Sequence, residues 1–488
     1  MNKSTHSIVT YCIYFLFAIL VLYPLLEFLN ALPLYLWDES RQAANAIEMF
    51  TNHNWLVTYY NGSPDMWNTK PPLLIWLQVL SMHIFGLTTS ALRAPSVIAA
   101  FATILSLFFF LKKETNNIWI AFFSGIVLVA LPGFNGYHVA RTGDYDSLLI
   151  LFMIQCAIQF YYYIETKNRI HIILFGLFLT LGSLTKGIAP LLFLPGFLVY
   201  AFFQKKIYAI LKDPYFYISC LGYLVIIGSY YILREHENNG YLRAVYENEL
   251  GGRFLEVKEN HNGDLFFYLN QLLFKQTYFW FGLFLVCLIT YPFIMNTFNN
   301  KKLFNYFLLL IICFFVIINS SKTFLTWYVA PLLPLIACIC ILLLYNIFTQ
   351  LFSKTNWPST FQYGLVLFLI GVLTSISYID IVLTNRHPTY ENSSDYSLYR
   401  LSRYFDGTEN SVPTNLKIIN HTDIQQHLYF YIQRLQLSDV HIDYGDYMKL
   451  ITGDTVIVAD DMQTHYIRSN YSTNELYNKD NVWIFAIK

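Results

Sequence analysis

Charge is scarce in this chain: only 13% of its 488 residues are Asp, Glu, Lys or Arg, against roughly 25% in an ordinary soluble domain. A water-soluble enzyme of this size is thereby excluded. A surplus of either sign is also lacking, because 31 Lys+Arg offset 31 Asp+Glu. No basic field exists to hold nucleic acid by neutralising phosphate. Cysteine is confined: Cys12, Cys156, Cys220, Cys287, Cys313, Cys338 and Cys340 all lie in apolar runs, and the polar tail after about residue 385 has none. These read as small buried hydrophobes, not as disulfides or metal ligands. Internal repeats and low-complexity tracts are likewise missing.

What the chain has in abundance is apolar and aromatic surface, 56% and 18% of its residues, with a mean hydropathy of +0.42. Averaged over visibly polar stretches, that value marks a polytopic membrane protein. Since about 20 residues cross the hydrocarbon core, spans are expected near 8–31, 91–112, 117–133, 145–164, 170–185, 188–204, 214–233, 276–296, 303–319, 326–348 and 361–383. The first is too long for a signal-peptide core and lacks a small-residue cleavage site, so it reads as an uncleaved span. With the N-terminus cytoplasmic, that side receives Lys3, Lys112, Lys113, Lys167, Arg169, Lys205, Lys206, Lys212, Lys301, Lys302 and Lys354, as the positive-inside rule requires. An odd number of spans then places the tail outside.

The outer face holds 32–90, the turn 134–144, the break at Lys186-Gly187, the loop 234–275, and Ser320 to Thr323. Lys70, Arg93, Arg141, Lys186 and Lys322 stand at outer span ends, where the rule disfavours cations, and their number points to an anionic partner such as a lipid phosphate. Asp38 to Phe50 reads as a short capped helix with an apolar stripe, suited to a membrane surface. Leu73 to Phe85 is apolar almost all round yet too short to span, with Pro71 at a first helical position. The tail, 385–488, carries 13 Asp+Glu against 9 Lys+Arg. Its strands are expected at Leu416–Asn420, Val440–Asp443, Thr455–Ala459 and Val482–Ile487, with a helix at Asp423–Leu435 whose cap lies near Asp423. The expected division is therefore a membrane domain over 1–384 and a small extracytoplasmic α/β domain over 385–488.

Five segments on the deduced outer face carry a resemblance. They are Trp37-Asp38-Glu39-Ser40-Arg41, Lys70-Pro71-Pro72-Leu73, Ala140-Arg141-Thr142-Gly143-Asp144-Tyr145-Asp146, Leu184-Thr185-Lys186-Gly187, and Ser321-Lys322 with Trp327-Tyr328-Val329-Ala330-Pro331. Together they resemble the polytopic GT-C glycosyltransferases that use polyprenyl-phosphate sugars. The pattern is most similar to bacterial aminoarabinose transferases acting on lipid A, and more distantly to protein O-mannosyltransferases. The resemblance covers roughly 8–350. It implies a mainly α GT-C fold of about 11 to 13 transmembrane helices in the inner membrane. It also implies a polyprenyl-phosphate sugar donor, a lipid, glycan or protein acceptor outside, and single displacement at the anomeric carbon. A flippase for lipid-linked sugars is the rival from another class, but transporters commonly show related halves with broken helices at the midplane. Here the polar motifs cluster on one face.

Within that frame Asp38 and Glu39 are the catalytic candidates, Asp38 as the carboxylate that meets the acceptor group and takes its proton if that group is a hydroxyl. The residues themselves equally allow Asp38 as an N-cap paired with Arg41. Donor phosphate is assigned to Arg41, Lys70, Arg141, Lys186, Arg253 and Tyr328, and Asp144, Asp146 and Lys322 are candidates for other roles in the site. Plainer alternatives stand beside six of them: an ion-pair partner for Arg41, snorkelling for Lys70, an interface anchor for Lys186, span capping for the two aspartates, a belt tyrosine for Tyr328. A lysine at a span end is a functional hypothesis by default, and Lys186 is one. The one cofactor considered is a divalent metal, with Glu39 and His261 as its candidates, although Thr69 stands where relatives often carry an acidic residue before the lysine.

Overall fold

The computed structural model describes residues 3–252, 261, 263–294, 298, 300–386, 399–407, 412–419 and 426–488. Among them, eight helices are long and apolar enough to cross a membrane, and a bent pair, Phe267–Gln276 with Trp280–Phe293, makes a ninth. Two further expected spans appear as shorter apolar helices, Ile118–Ala130 and Ala189–Phe203. Each of the eleven apolar windows thus carries a helix among its described residues, because an apolar backbone segment satisfies its own hydrogen bonds only as a helix.

The chain divides into two compact units. One comprises Met1–Glu27, Met66–Leu74 and Pro95–Arg386; the other comprises Phe28–Asp65, Ile75–Ala94 and His387–Lys488. The sequence places the whole of 32–90 with the spans, whereas most of it groups with the tail.

In the membrane unit the chain order runs α1 (Lys3–Leu26), then, past α2 (Asp38–Asn52) and α3 (Leu73–Phe85) and out of α4 (Thr89–Thr115), to α5 (Ile118–Ala130), α6 (Tyr145–Thr166), α7 (Arg169–Lys186), α8 (Leu194–Phe203), α9 (Ile207–Leu211) and α10 (Pro214–Glu237). The helices α6 and α7 form an antiparallel hairpin, its turn set by Lys167 in the left-handed region at φ 56° and by Asn168, whose side chain accepts from Ile170 N. Gly176 lets α10 lie directly on α7: a Cβ there would stand 2.7 Å from Ser219 Cβ, the small-residue contact that replaces a hydrophobic drive within lipid. The window Thr326–Ser353 is 89% buried and forms the centre, while Pro214–Glu237 is 6% buried and faces outward.

The other unit is built on a five-stranded sheet ordered β4-β3-β5-β7-β6, from β3 (Asn415–Ile419), β4 (His441–Tyr444), β5 (Thr455–Val458), β6 (Thr473–Lys479) and β7 (Val482–Ile487). The hairpin strands β1 (Tyr59–Tyr60) and β2 (Ser63–Pro64) belong to a separate small pair. In the large sheet β4, β3 and β5 are parallel, and β7 and β6 complete it antiparallel. The expected helix over 423–435 is observed as Gln426–Gln436; its expected cap at Asp423 lies outside the described residues. The polar strand β6 and the helix Asp461–Asn470 have no counterpart in the sequence reading.

The apolar stripe of α2 is not a membrane face. Ala43, Ala46 and Ile47 share one core with Leu428, Tyr431, Ile418 and Ile484, and Ile75, Val79 and Met82 of α3 join it. Leu80, Ile84 and Phe85 remain the exposed side of α3. That helix begins at Leu73, two residues after Pro71.

Candidate active site

The hairpin of α6 and α7 explains the central contact. Asp146 lies in the first turn of α6 and Lys186 is the last residue of α7, so antiparallel packing brings together residues 40 apart in sequence. The Lys186 Nζ donates to Asp146 Oδ1 at 2.6 Å and Oδ2 at 2.7 Å, with side chains 12% and 6% exposed. Gly187 ends α7 at φ 55°, a conformation that favours glycine. The pair lines a cavity of about 120 Å³ whose other polar groups are Glu249, Ser321 and Tyr328, and whose walls are apolar, including Leu149, Met153, Leu192, Phe314 and Ile318. The Tyr328 ring centre stands 5.9 Å from Lys186 Nζ.

Lys70 reaches the same wall through Glu249, 3.4 Å from its Nζ, and lies 5.6 Å from the Tyr145 ring centre. Its backbone is fixed from two sides. Asn68 donates to Tyr145 Oη at 2.9 Å, and Tyr241 Oη donates to the Thr69 carbonyl at 2.8 Å. Burial raises the pKa of Tyr241, which keeps that donor proton in place.

Asp144 and Arg141 stand differently. His138, at φ 65°, stacks on Trp327 with ring centres 3.5 Å apart, and its Nδ1 lies 3.2 Å from Asp144 Oδ2. Thr142 Oγ1 donates to the same oxygen at 3.1 Å. Arg141 Nη1 donates to the Pro24 carbonyl at 3.0 Å, a carbonyl also approached by Asn135 and Asn385. The imidazole and carboxylate of His138 and Asp144 are donor types that suit a divalent cation. Lys322 is exposed, as is His261, whose carbonyl accepts from Phe324 N at 3.0 Å. Arg253 lies outside the described residues.

In the other unit Asp38 opens α2 as its first residue, and the N-cap is Trp37 at φ 72°, ψ −111°. A bulky residue held there is a strained one. The cap expected at Asp38 is displaced because Glu39 turns back: its Oε2 accepts from Tyr35 N at 2.8 Å. Both Glu39 oxygens also receive the Arg93 guanidinium, at 2.7 and 2.9 Å, with both side chains 1% exposed. Arg41 binds Asp65 through a bidentate fork, 2.8 Å on each arm, and lies 3.6 Å from the Tyr60 ring centre. Burial raises the pKa of Tyr60, with Arg41 acting against it. Four of the five unexplained outer cations therefore have protein partners: Lys70, Arg93, Arg141 and Lys186.

Sequence reasoning missed His138, Asp65 and the Glu39–Arg93 pairing. A buried non-glycine residue in the left-handed region leaves no trace in composition. The partners of Arg41 and Arg93 are 24 and 54 residues away, beyond any local periodicity.

The model of the dolichyl-phosphate-mannose-protein mannosyltransferase family matches residues 69–232. The undecaprenyl phosphate-alpha-4-amino-4-deoxy-L-arabinose arabinosyl transferase of Aeromonas hydrophila is 24% identical over 261 residues, 52% of this chain and 46% of that protein. The transferase of the same name from Wigglesworthia glossinidia brevipalpis is 25% identical over 345 residues, 68% of this chain and 57% of that protein. The chain spans about half the length of these curated relatives. The crystal structure of ArnT from Cupriavidus metallidurans bound to undecaprenyl phosphate matches with a TM-score of 0.66 at 15% identity, covering 97% of each chain. The fold is that of a GT-C glycosyltransferase in the membrane. Within that class, the chain resembles the aminoarabinose transferases.

Proposed function

We propose that this chain transfers a sugar from a polyprenyl phosphate to lipid A or another envelope lipid or glycan at the outer face of the inner membrane. The observation that carries the reading is the Lys186–Asp146 pair set in an apolar wall. The apolar surface suits a polyprenyl chain, and the ammonium suits its phosphate. Lys186 directs N–H groups at both Asp146 oxygens, and an ammonium has three to give.

In the reaction the acceptor oxygen attacks the anomeric carbon, and the bond from that carbon to the phosphate oxygen breaks with its electron pair on the phosphate. Fixed positive charge in a low-dielectric site stabilises that leaving group; Lys186 and Lys70 are the proposed sources. A hydroxyl acceptor also loses a proton, which the family resemblance assigns to Asp38. The asymmetry of lysine and arginine between loops supports an outer-facing site.

A second reading, protein O-glycosyl transfer, is favoured by the name of the family whose model matches 69–232. The test incubates purified protein with a panel of polyprenyl-phosphate sugars and envelope extract, then follows masses. A lipid or glycan gaining one glycosyl unit supports the proposal, and the same gain on a protein supports the second reading. Lipid-linked sugar crossing liposomes unconsumed contradicts both and favours a flippase.

A further inference from the structure

The turn between α6 and α7 carries Lys167 and Arg169, and the short helix α9 is bracketed by Lys206 and Lys212. The fold gathers all four around a second cavity of about 270 Å³. Because α6 and α7 form a hairpin with Asp146 and Lys186 at its open end, this cavity lies at the other end of the same two helices. The positive-inside rule explains why cations gather on one side of a membrane. It does not require four of them to share one cavity, where they repel.

The one carboxylate in the lining, Asp213, already has partners. It accepts from Tyr163 Oη at 2.9 Å and caps α10 through Tyr215 N at 3.1 Å, with Arg169 Nε at 4.0 Å. Four cations against one carboxylate leave three positive charges in the lining. The floor includes the apolar Ile164 and Ile210. Just outside it, Phe202, Phe203, Tyr208 and Leu211 are more than half exposed, as surface that faces acyl chains is.

We infer that this cavity binds the phosphate headgroup of an anionic phospholipid, with the acyl chains lying along the exposed residues of α8 and α9. The charge calls for an anion and the adjoining apolar surface calls for a chain attached to it. Basic pockets between spans are known to hold such headgroups. The inference stands apart from the transfer reaction, since it concerns the opposite end of the helices.

The test uses full-length protein in detergent micelles, with retained lipid read by native mass spectrometry. Phosphatidylglycerol and phosphatidylcholine are the lipid probes, and inorganic phosphate is the soluble one, read by thermal shift. Phosphatidylglycerol is expected to stay bound where phosphatidylcholine does not. The double variant Lys206→Ala/Lys212→Ala should weaken retention about thirtyfold, the effect of two lysines at an anionic surface. A control pair from the same face but outside the cavity, Lys301→Ala/Lys354→Ala, should change it less than about threefold. If the first pair fails to fold, Lys167→Gln/Arg169→Gln reads the same loss. Equal loss in the control, or equal retention of the two lipids, would overturn the site. A thermal shift from inorganic phosphate as large as that from phosphatidylglycerol would overturn the lipid assignment.

Discussion

Removing Lys186 has two consequences that the structure allows to be separated. The ammonium makes two short contacts with Asp146, and both side chains are nearly buried. Lys186→Met alone leaves a buried carboxylate without its counter-charge, which costs about 3–5 kcal/mol of stability. The pair replaced together, Lys186→Met with Asp146→Leu, removes both charges, and such exchanges are often neutral or stabilising. Donor binding should follow a different pattern. A charge-assisted hydrogen bond to phosphate is worth about 1.5–3 kcal/mol, so both variants should bind a polyprenyl-phosphate sugar roughly ten- to a hundredfold more weakly. The assay is a thermal melt in detergent beside a donor titration, on wild type, both single variants and the double. The double variant is expected to melt like wild type and bind like Lys186→Met. If it regains donor affinity along with stability, Lys186 is a structural partner of Asp146 and no more.

Other substitutions test the remaining parts. Asp38→Asn keeps the size of the side chain but not its basicity, so turnover on a hydroxyl acceptor should fall 10²- to 10⁴-fold with donor affinity unchanged; near-normal turnover removes Asp38 from catalysis. Arg93→Ala isolates the Glu39 carboxylate and should lower stability by about 3–5 kcal/mol in a melt, whereas a loss below about 1 kcal/mol would show that water reaches the pair. Trp37→Gly should relieve about 1–3 kcal/mol of backbone strain yet reduce turnover, since Trp37 fixes where α2 and Asp38 begin; a lower melting temperature would contradict the strain. Cysteine at Ser438, an exposed position, should react with an impermeant maleimide in intact spheroplasts, and labelling only after lysis would reverse the proposed orientation.

The spans were legible because hydropathy over some 20 residues is a property of each segment alone. Strands β3, β5 and β7 were legible for a similar reason, as dense β-branched and apolar runs. Strand β6, TNELYNK, alternates nothing apolar and is mostly exposed, so only its pairing with β7 defines it. The helix α2 was visible as a helix, but its destination was not. An amphipathic stripe reports that a face is covered, not whether lipid or Leu428 and Tyr431 cover it. The same limit applies at the site. Lys186 and Asp146 each stood out at a span end, and their pairing follows from the α6–α7 hairpin once the turn at Lys167 and Asn168 is known. Glu39 and Arg93 also stood out singly, one as an acid in a motif and one as an outer cation. Only the tertiary fold turns them into a buried pair.

The central claim concerns the donor, and its most direct measurement is the release of polyprenyl phosphate. Purified protein is mixed with a polyprenyl-phosphate sugar carrying label in the lipid, together with envelope acceptor, and the unglycosylated lipid phosphate is quantified over time. Wild type should release it in step with acceptor glycosylation, and the stable Lys186→Met/Asp146→Leu variant should release it far more slowly at limiting donor. Glycosylation of the acceptor without release of polyprenyl phosphate, or equal release by the double variant, would contradict the account.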